Sequence, residues 1–516
     1  MKFKYLTILL LAASLGSCKK DFLEKLPEDT LAPEVFYSDA NSLRPGLFGV
    51  YRALREGAVF GNPIELEGIS DNAILNTRAA ELINFSKGLG GTDNSEKLAE
   101  YYLYNYQVIQ RANALLDHIT APGDMTDAER QVIRSEARVL RALAYMRLVY
   151  LYGRVPLVLT SISRNEALAL RQASREELIS FIETELDEAG NLLETKAYQS
   201  QTGRLTKQAA LSMRAKVLLY EARMGKASWT DALNAINTAK NLATAAGAKL
   251  LTVGDGSNGQ LNYESLFTEG NEDNAEVLFQ VKFDAAVGQG QSLHNNYAPN
   301  QANQTARISI HGNFVRDFYG VDGLPTTDPA SVVNPAAPYQ ARDPRLLASV
   351  YVPGMRYFFG TYAGKAGNAS LETDFALRKY TYNTLTGGDG GLDVVVFRYA
   401  DLLLMLAEAE NKVNGPTTIA YNAVNELRSR VNMPGFRPGM SADAFNQEVL
   451  HERRVELGME GQRWFDLITL GMANEKINGI NELGRRFVPQ RQELFPIPKS
   501  EIDLNGNLQQ NPGYGQ

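Results

Sequence analysis

The chain has 516 residues, 44% of them hydrophobic and 22% charged, which is enough to bury a large core in one to three domains. A formal charge of −7 argues against a general nucleic-acid binder, because phosphate contacts demand a basic surface. With one cysteine, Cys18, no internal disulfide can form.

The N-terminus reads as a signal peptide over residues 1–17. Lys2 and Lys4 supply its positive end, and Leu6 to Leu15 form an apolar run too short to span a bilayer. Leu15-Gly16-Ser17-Cys18 resembles a lipobox, in which small residues precede a cysteine that is lipidated and becomes the mature N-terminus. Removing residues 1–17, with two lysines and no acids, takes the formal charge from −7 to −9. No later run of about 18 apolar residues occurs, so the lipid on Cys18 is the expected membrane attachment.

A tether, KKDFLEKLPEDTLAPEVFYSD, follows, with Pro27 and Pro33 discouraging regular structure. Leu43, Leu47, Val50, Tyr51 and Leu54 predict a helix over 40–57. Residues 58–94 are rich in Gly and Asn with weak periodicity, and predict a long irregular excursion of the kind that often carries function. Helices are expected again at 95–118 and 127–152. In the second, Ile133, Ala137, Leu140, Ala144, Leu148 and Leu151 share one face, small Ala137, Ala142 and Ala144 admit a neighbour, and Gly153 and Pro156 end it. Another helix is expected at 174–194.

Residues 205–247 contain two helices with a turn at Gly225 to Ser228. Leu219, Gly225, Trp229, Ala232 and Ala239 lie close to tetratricopeptide spacing. A second such unit occupies 398–431, turning at Asn414-Gly415-Pro416. Between them the chain is loop-rich, with strands expected at 275–284 and 392–397, so the helical scaffold is expected to be interrupted rather than stacked without a break. The division expected is 18–250 helical, 251–396 loop-rich insertion and 397–516 closing helices, the last two forming one C-terminal region, 251–516.

Several short patterns resolve to structure rather than chemistry. His451-Glu452-Arg453-Arg454 begins like a zinc-protease helix, but Val455 stands where the second ligand is needed. The four histidines (118, 294, 311 and 451) show no ligand spacing, and no metal or cofactor is expected. Glu452, Arg453, Arg454, Glu456, Glu460 and Arg463 place opposite charges at helical offsets, as ion pairs locking helices together would. Gly254-Asp-Gly256-Ser-Asn-Gly259 satisfies a bare dinucleotide pattern, yet QLNYESLF offers no convincing helix start, and it reads as a loop. Asp503-Leu-Asn505-Gly-Asn507 reads as a turn, because Leu508 stands where a calcium loop needs glycine. Trp229 and Trp464 read as packing residues.

Longer strings run along the whole chain, beginning with Cys18-Lys-Lys-Asp-Phe-Leu-Glu and the run from Arg138 through Arg141-Ala-Leu-Ala-Tyr145 to Leu151-Tyr-Gly-Arg-Val-Pro-Leu157. Further on lie Asp343-Pro344-Arg345, Leu404-Met-Leu-Ala-Glu-Ala409, Glu452-Arg-Arg-x-Glu-Leu457, Glu460-Gly-x-Arg-x-x-Asp-Leu467, Leu494-Phe-Pro-Ile-Pro498 and Gln510-Asn-Pro-Gly-Tyr514. Together they carry a resemblance to the SusD/RagB family of outer-membrane nutrient-binding lipoproteins. It implies a mostly α fold, with four tetratricopeptide-like helix pairs as scaffold and a loop-rich second region with a few short strands. It implies, too, a lipid-anchored protein on the outer surface of a Bacteroidetes-type bacterium. The implied partner is a SusC-type TonB-dependent transporter, to which oligosaccharides, or less often peptides, are delivered without catalysis. Sugar faces stack on aromatic rings while polar groups pair with hydroxyls. The candidate contacts in the irregular segments are therefore Asp71, Asn72, Arg78, Tyr297, Tyr319, Tyr357, Phe358 and Tyr362. A surface glycosidase, which needs two carboxylates at a set separation, and a purely protein-binding scaffold remain the alternatives.

Overall fold

The computed structural model describes residues 33–76, 80–91, 96–299, 306–357, 360–368, 370–381, 388–480 and 483–515. Ten helices carry the architecture: α1 Leu43–Ala53, α2 Glu96–Asp117, α3 Asp127–Tyr152, α4 Arg175–Asn191, α5 Lys207–Arg223, α6 Trp229–Ala245, α7 Tyr399–Asn414, α8 Thr418–Arg430, α9 Ala442–Leu457 and α10 Arg463–Thr469. Most begin on a hydroxyl residue whose side chain accepts a backbone N–H of the first turn: Thr126, Ser174, Thr206, Ser228, Thr417 and Ser441. Gly153, at φ 74°, ends α3 by a conformation that a side chain would strain.

The helices pack as four pairs, α1 with α2, α3 with α4, α5 with α6 and α7 with α8, and each pair also packs on the next. Alanines at 137, 142 and 144 are fully buried and let the α3 backbone approach its neighbours. Helix α5 is buried almost all round, as befits one wedged between α4 and α6 while also touching α7 and α10. The stack corrects one expectation: α6 packs directly on α7 although some 150 residues separate them in sequence. The insertion breaks the chain, not the scaffold, because the third pair still offers the fourth an apolar face.

Eight short strands form four two-stranded antiparallel ribbons among the described residues. They are β1 Ala73–Leu75 with β3 Ile308–Ile310, β2 Val277–Val281 with β8 Val394–Arg398, β4 Val350–Tyr351 with β7 Ala376–Leu377, and β5 Arg356–Tyr357 with β6 Gly360–Thr361. The excursion over 58–94 is therefore less irregular than its composition suggests. It holds the short helices Ile64–Glu67 and Ala80–Ser86, and β1 ties it to the insertion. A second correction falls at Gly259, where a helix does open, Gly259–Glu264, capped by Asn258. A Cβ on Gly259 would lie 2.4 Å from the Val431 carbonyl oxygen, so this glycine serves close packing.

The tail closes the molecule on α3. The Phe495 amide donates to the Leu151 carbonyl (2.6 Å), and Asn511 Nδ2 donates to the carbonyls of Tyr152 and Phe495 (2.9 and 2.7 Å). Two distant parts of the resemblance, Leu-Tyr-Gly and Leu-Phe-Pro-Ile-Pro, are thus one packed unit. No helix among the described residues is long and apolar enough to cross a membrane.

Candidate functional site

Three buried ionic clusters centre on α9 and α10, and two of them hold the insertion on the helices. In the largest, Arg398 reaches Glu276 (2.8 Å), Glu456 (2.5 Å) and Glu460 (2.7 Å). Arg345 reaches Asp343, Glu452 and Glu456, while Arg430 reaches Glu276 and Glu456. With Arg428 on Glu452 and Lys379 on Glu460, five cations meet five carboxylates. Burial would push the Glu456 carboxyl up, but Arg430, Arg398 and Arg345 together hold it well below the usual carboxylate range. Burial likewise lowers Lys379, to about 8, against the pull of Glu460.

A second cluster joins Lys216, Arg223 and Arg453 to Asp401, Glu408 and Asp466, bridging α5, α7, α9 and α10. A third sets Arg454 and Arg463 against Asp71 and Asp317. The charges on α9 and α10 therefore do lock elements together, and a group pinned this way is spent on the fold.

Asp71 and Asn72 belong to that third cluster. Asp71 is 1% exposed, and although burial opposes it, Arg454 and Arg463 keep its carboxyl ionised well below its ordinary range. Asn72 donates to Glu67 (2.7 Å) and accepts from Arg454 Nε (2.8 Å). Of the candidate contacts, these two are therefore buried and bonded within the fold, where they anchor the start of β1.

The other end of β1 offers the better candidate. Asn76 Nδ2 donates to the carbonyls of Ala306 (2.6 Å) and Ser370 (2.5 Å), and its Oδ1 accepts from the Ser309 hydroxyl (3.2 Å). These bonds gather the end of β1, the approach to β3 and the loop before β7. Beside them Tyr351, Tyr357 and Tyr362 form a three-ring cluster with centroids 5.9–6.0 Å apart, packed with Ala306, Leu371, Ala376 and Met355. Tyr357 is half-buried at the rim, with Arg356, Gly360 and Thr361 exposed around it on the β5–β6 hairpin. The Tyr362 hydroxyl and Asn368 Nδ2 have no hydrogen-bond partner among the described residues. Burial pushes the Tyr362 phenol up, so it stays protonated and able to donate as well as accept. Both atoms are buried, as are the rings of Tyr351 and Tyr362, so the face this cluster turns outward is the half-buried edge of Tyr357, on which a sugar ring can stack.

The remaining candidates scatter. Tyr297 is buried, its hydroxyl accepting from Asn62 Nδ2 (2.8 Å). Tyr319 stacks on the His451 ring at 4.1 Å, and His451 Nε2 donates to the Asp317 carbonyl (2.7 Å). Trp464 is buried against Phe85, Phe487 and Phe495, and half-buried Trp229 opens α6. Cys18, Arg78 and Phe358 lie outside the described residues. Sequence reasoning missed Asn76, Tyr351 and Asn368. The one local signal was the apolar triplet Ala73-Ile74-Leu75 ahead of Asn76, which marks a buried strand ending on a polar side chain.

Residues 275–514 match the SusD family, and residues 21–219 match a family described as starch-binding, associating with the outer membrane. SusD-like protein P25 of Formosa agariphila is 24% identical over 550 aligned positions, covering 96% of this chain and 97% of its own. A SusD-like protein from Bacteroides fragilis superposes with a TM-score of 0.79 at 22% identity, covering 95% of this chain and all of the other. A structure named as a laminarin-binding SusD-like protein gives a TM-score of 0.71 at 22% identity, over 92% of this chain and all of that one. At such identity a superposition speaks for the fold alone, and here it is the same helical scaffold. With both family matches lying in order along the sequence, the chain belongs to the SusD/RagB family of carbohydrate-binding proteins associated with the outer membrane.

Proposed function

We propose that this protein is a surface-exposed lipoprotein, anchored through Cys18 and facing the exterior. It captures an oligosaccharide and passes it to a SusC-type TonB-dependent transporter without chemistry. The observation that carries the binding step is the tyrosine cluster at 351, 357 and 362, in which two buried rings support the half-buried Tyr357 at the rim. The laminarin named for one structural relative makes a neutral β-glucan the first ligand to try. A weak site suffices for a tethered capture protein, because a transporter held alongside sees the captured sugar at a high effective concentration.

The test is affinity electrophoresis of the full-length protein in detergent through gels containing laminarin or starch, with each mixture assayed for new reducing ends. Retardation without new ends is expected, and Tyr357→Ala should weaken it by about tenfold, the worth of one stacked ring. Release of reducing ends would sink the binding reading in favour of a glycosidase. Retardation unchanged in Tyr357→Ala would move the site away from the tyrosine cluster.

A further inference from the structure

A second cleft, of about 340 Å³, opens between the C-terminal end of α1, the loop before α5 and strand β2. Its volume suits a single sugar ring rather than a chain. It shares no element with the tyrosine cluster.

The lining has a definite chemistry. Phe48 on α1 is 46% exposed, an uncommon position for a large ring unless something covers it. The Arg204 guanidinium stands 6.0 Å from the Phe48 ring centroid and 4.9 Å from that of Tyr198, so the aromatic surface continues into a cation. Four cations line the cleft (Arg52, Arg55, Arg204 and Lys282) and, among the described residues, no carboxylate does. Arg204 is matched by Glu136 (2.7 Å), and Lys282 by Asp393 and Asp273 (2.5 and 3.0 Å).

Arg52 and Arg55 are not matched. Arg52 is exposed, and its guanidinium has no ion-pair or hydrogen-bond partner among the described residues. Arg55 donates only to neutral acceptors, the Lys282 carbonyl and Gln289 Oε1, both at 2.7 Å. Burial and the neighbouring Arg52 both work against its charge, while Asp393 and Asp284, outside the lining, offset this only in part. One more atom waits for a partner: Gln280 is 4% exposed, lines the cleft, and its Oε1 accepts no hydrogen bond. The opening itself depends on Gly203, at φ 82°, where a Cβ would come within 2.4 Å of Lys282 Cγ.

Two unmatched guanidiniums, an exposed ring and an unpaired carbonyl oxygen complement a saccharide unit that bears an anion. We propose that this cleft is a second saccharide subsite, selective for a sugar carrying a carboxylate or a sulfate ester. Its ring rests on Phe48, its anion on Arg52 and Arg55, and one of its hydroxyls on Gln280 Oε1. The proposal rests on the carbohydrate-binding reading above and adds an acidic specificity to it.

The test is calorimetric titration of the full-length protein in detergent with three probes: a galacturonate oligosaccharide, a sulfated galactan oligosaccharide and a neutral laminarin oligosaccharide. Either acidic probe should bind, more weakly as salt rises, and the Arg52→Gln/Arg55→Gln double variant should lose about tenfold in affinity for it. Arg55 also holds the Lys282 carbonyl, so Arg52→Gln alone, which breaks no bond in the fold, is the second variant; a loss of about threefold is expected. Which acidic probe binds names the anion as carboxylate or sulfate. No binding of either, or equal binding by wild type and both variants, would overturn the proposal. Acidic binding that depends on Arg52 without any laminarin binding would sink the neutral-glucan reading and leave this one standing.

Discussion

Arg398 shows what a single side chain can be asked to do in this protein. It is buried between three carboxylates that come from the insertion (Glu276), from α9 (Glu456) and from the turn after it (Glu460). Removing a cation from such a site leaves buried charge without compensation, which costs about 3–5 kcal/mol. Arg398→Met should lower the urea unfolding free energy by that order. A loss under about 1 kcal/mol would mean that water or the neighbouring arginines take over the carboxylates. The acids and bases of α9 were legible in the sequence, because their helical offsets are local. Their partners at 276, 345 and 398 were not, since only the folded chain brings residues this far apart together. The same limit explains Asp71 and Asn72. A polar pair in a Gly- and Asn-rich stretch looks solvated, and only the approach of Arg454 and Arg463 shows that it is core.

Elements with their own punctuation were read best. Helix α3 runs from Asp127 to Tyr152, between a Thr126 cap and Gly153, and the two repeat units turn where their glycines stand. The short strands were not legible beyond β2 and β8, because two or three residues carry no period and their pairing partners lie far along the chain. The tail is an element of this long-range kind. Phe495 is fully buried against the rings of Phe85, Tyr101, Tyr152 and Trp464, at 5.1, 5.7, 5.8 and 6.4 Å. Phe495→Ala should cost about 3–5 kcal/mol, as for other buried aromatic truncations, and should show as a drop in melting temperature. A near-neutral result would mean that the tail is an appendage rather than the closing piece of the α3 end.

At the scale of the whole molecule, the ionic clusters and the other buried acids set opposite limbs of a pH profile. Asp71, Asp401, Asp466, Glu452, Glu456 and Glu460 are all held below their ordinary values because facing arginines and lysines outweigh burial. In the unfolded chain such groups take up protons near pH ~4, so the stability they contribute is present above that point. It is lost as pH falls through their folded values. Glu65, Glu67, Glu136 and Asp393 behave in the other sense, because burial raises them, Asp393 to about 6. The fold takes up their protons before the unfolded chain does, so their contribution is complete below pH ~4 and fades as pH rises through about 6. Urea midpoints measured from pH 3 to 8 should therefore rise modestly on going down from 7, reach a maximum near pH 5 and fall steeply below 4. The steep limb belongs to all three clusters, two of which join the insertion to the helical stack, so acid should release both regions in one transition. A midpoint that declines monotonically from pH 7 would show the raised acids to be silent. Separate acid transitions for the helical stack and the insertion would show that the clusters do not bind the two halves of the molecule into one cooperative unit.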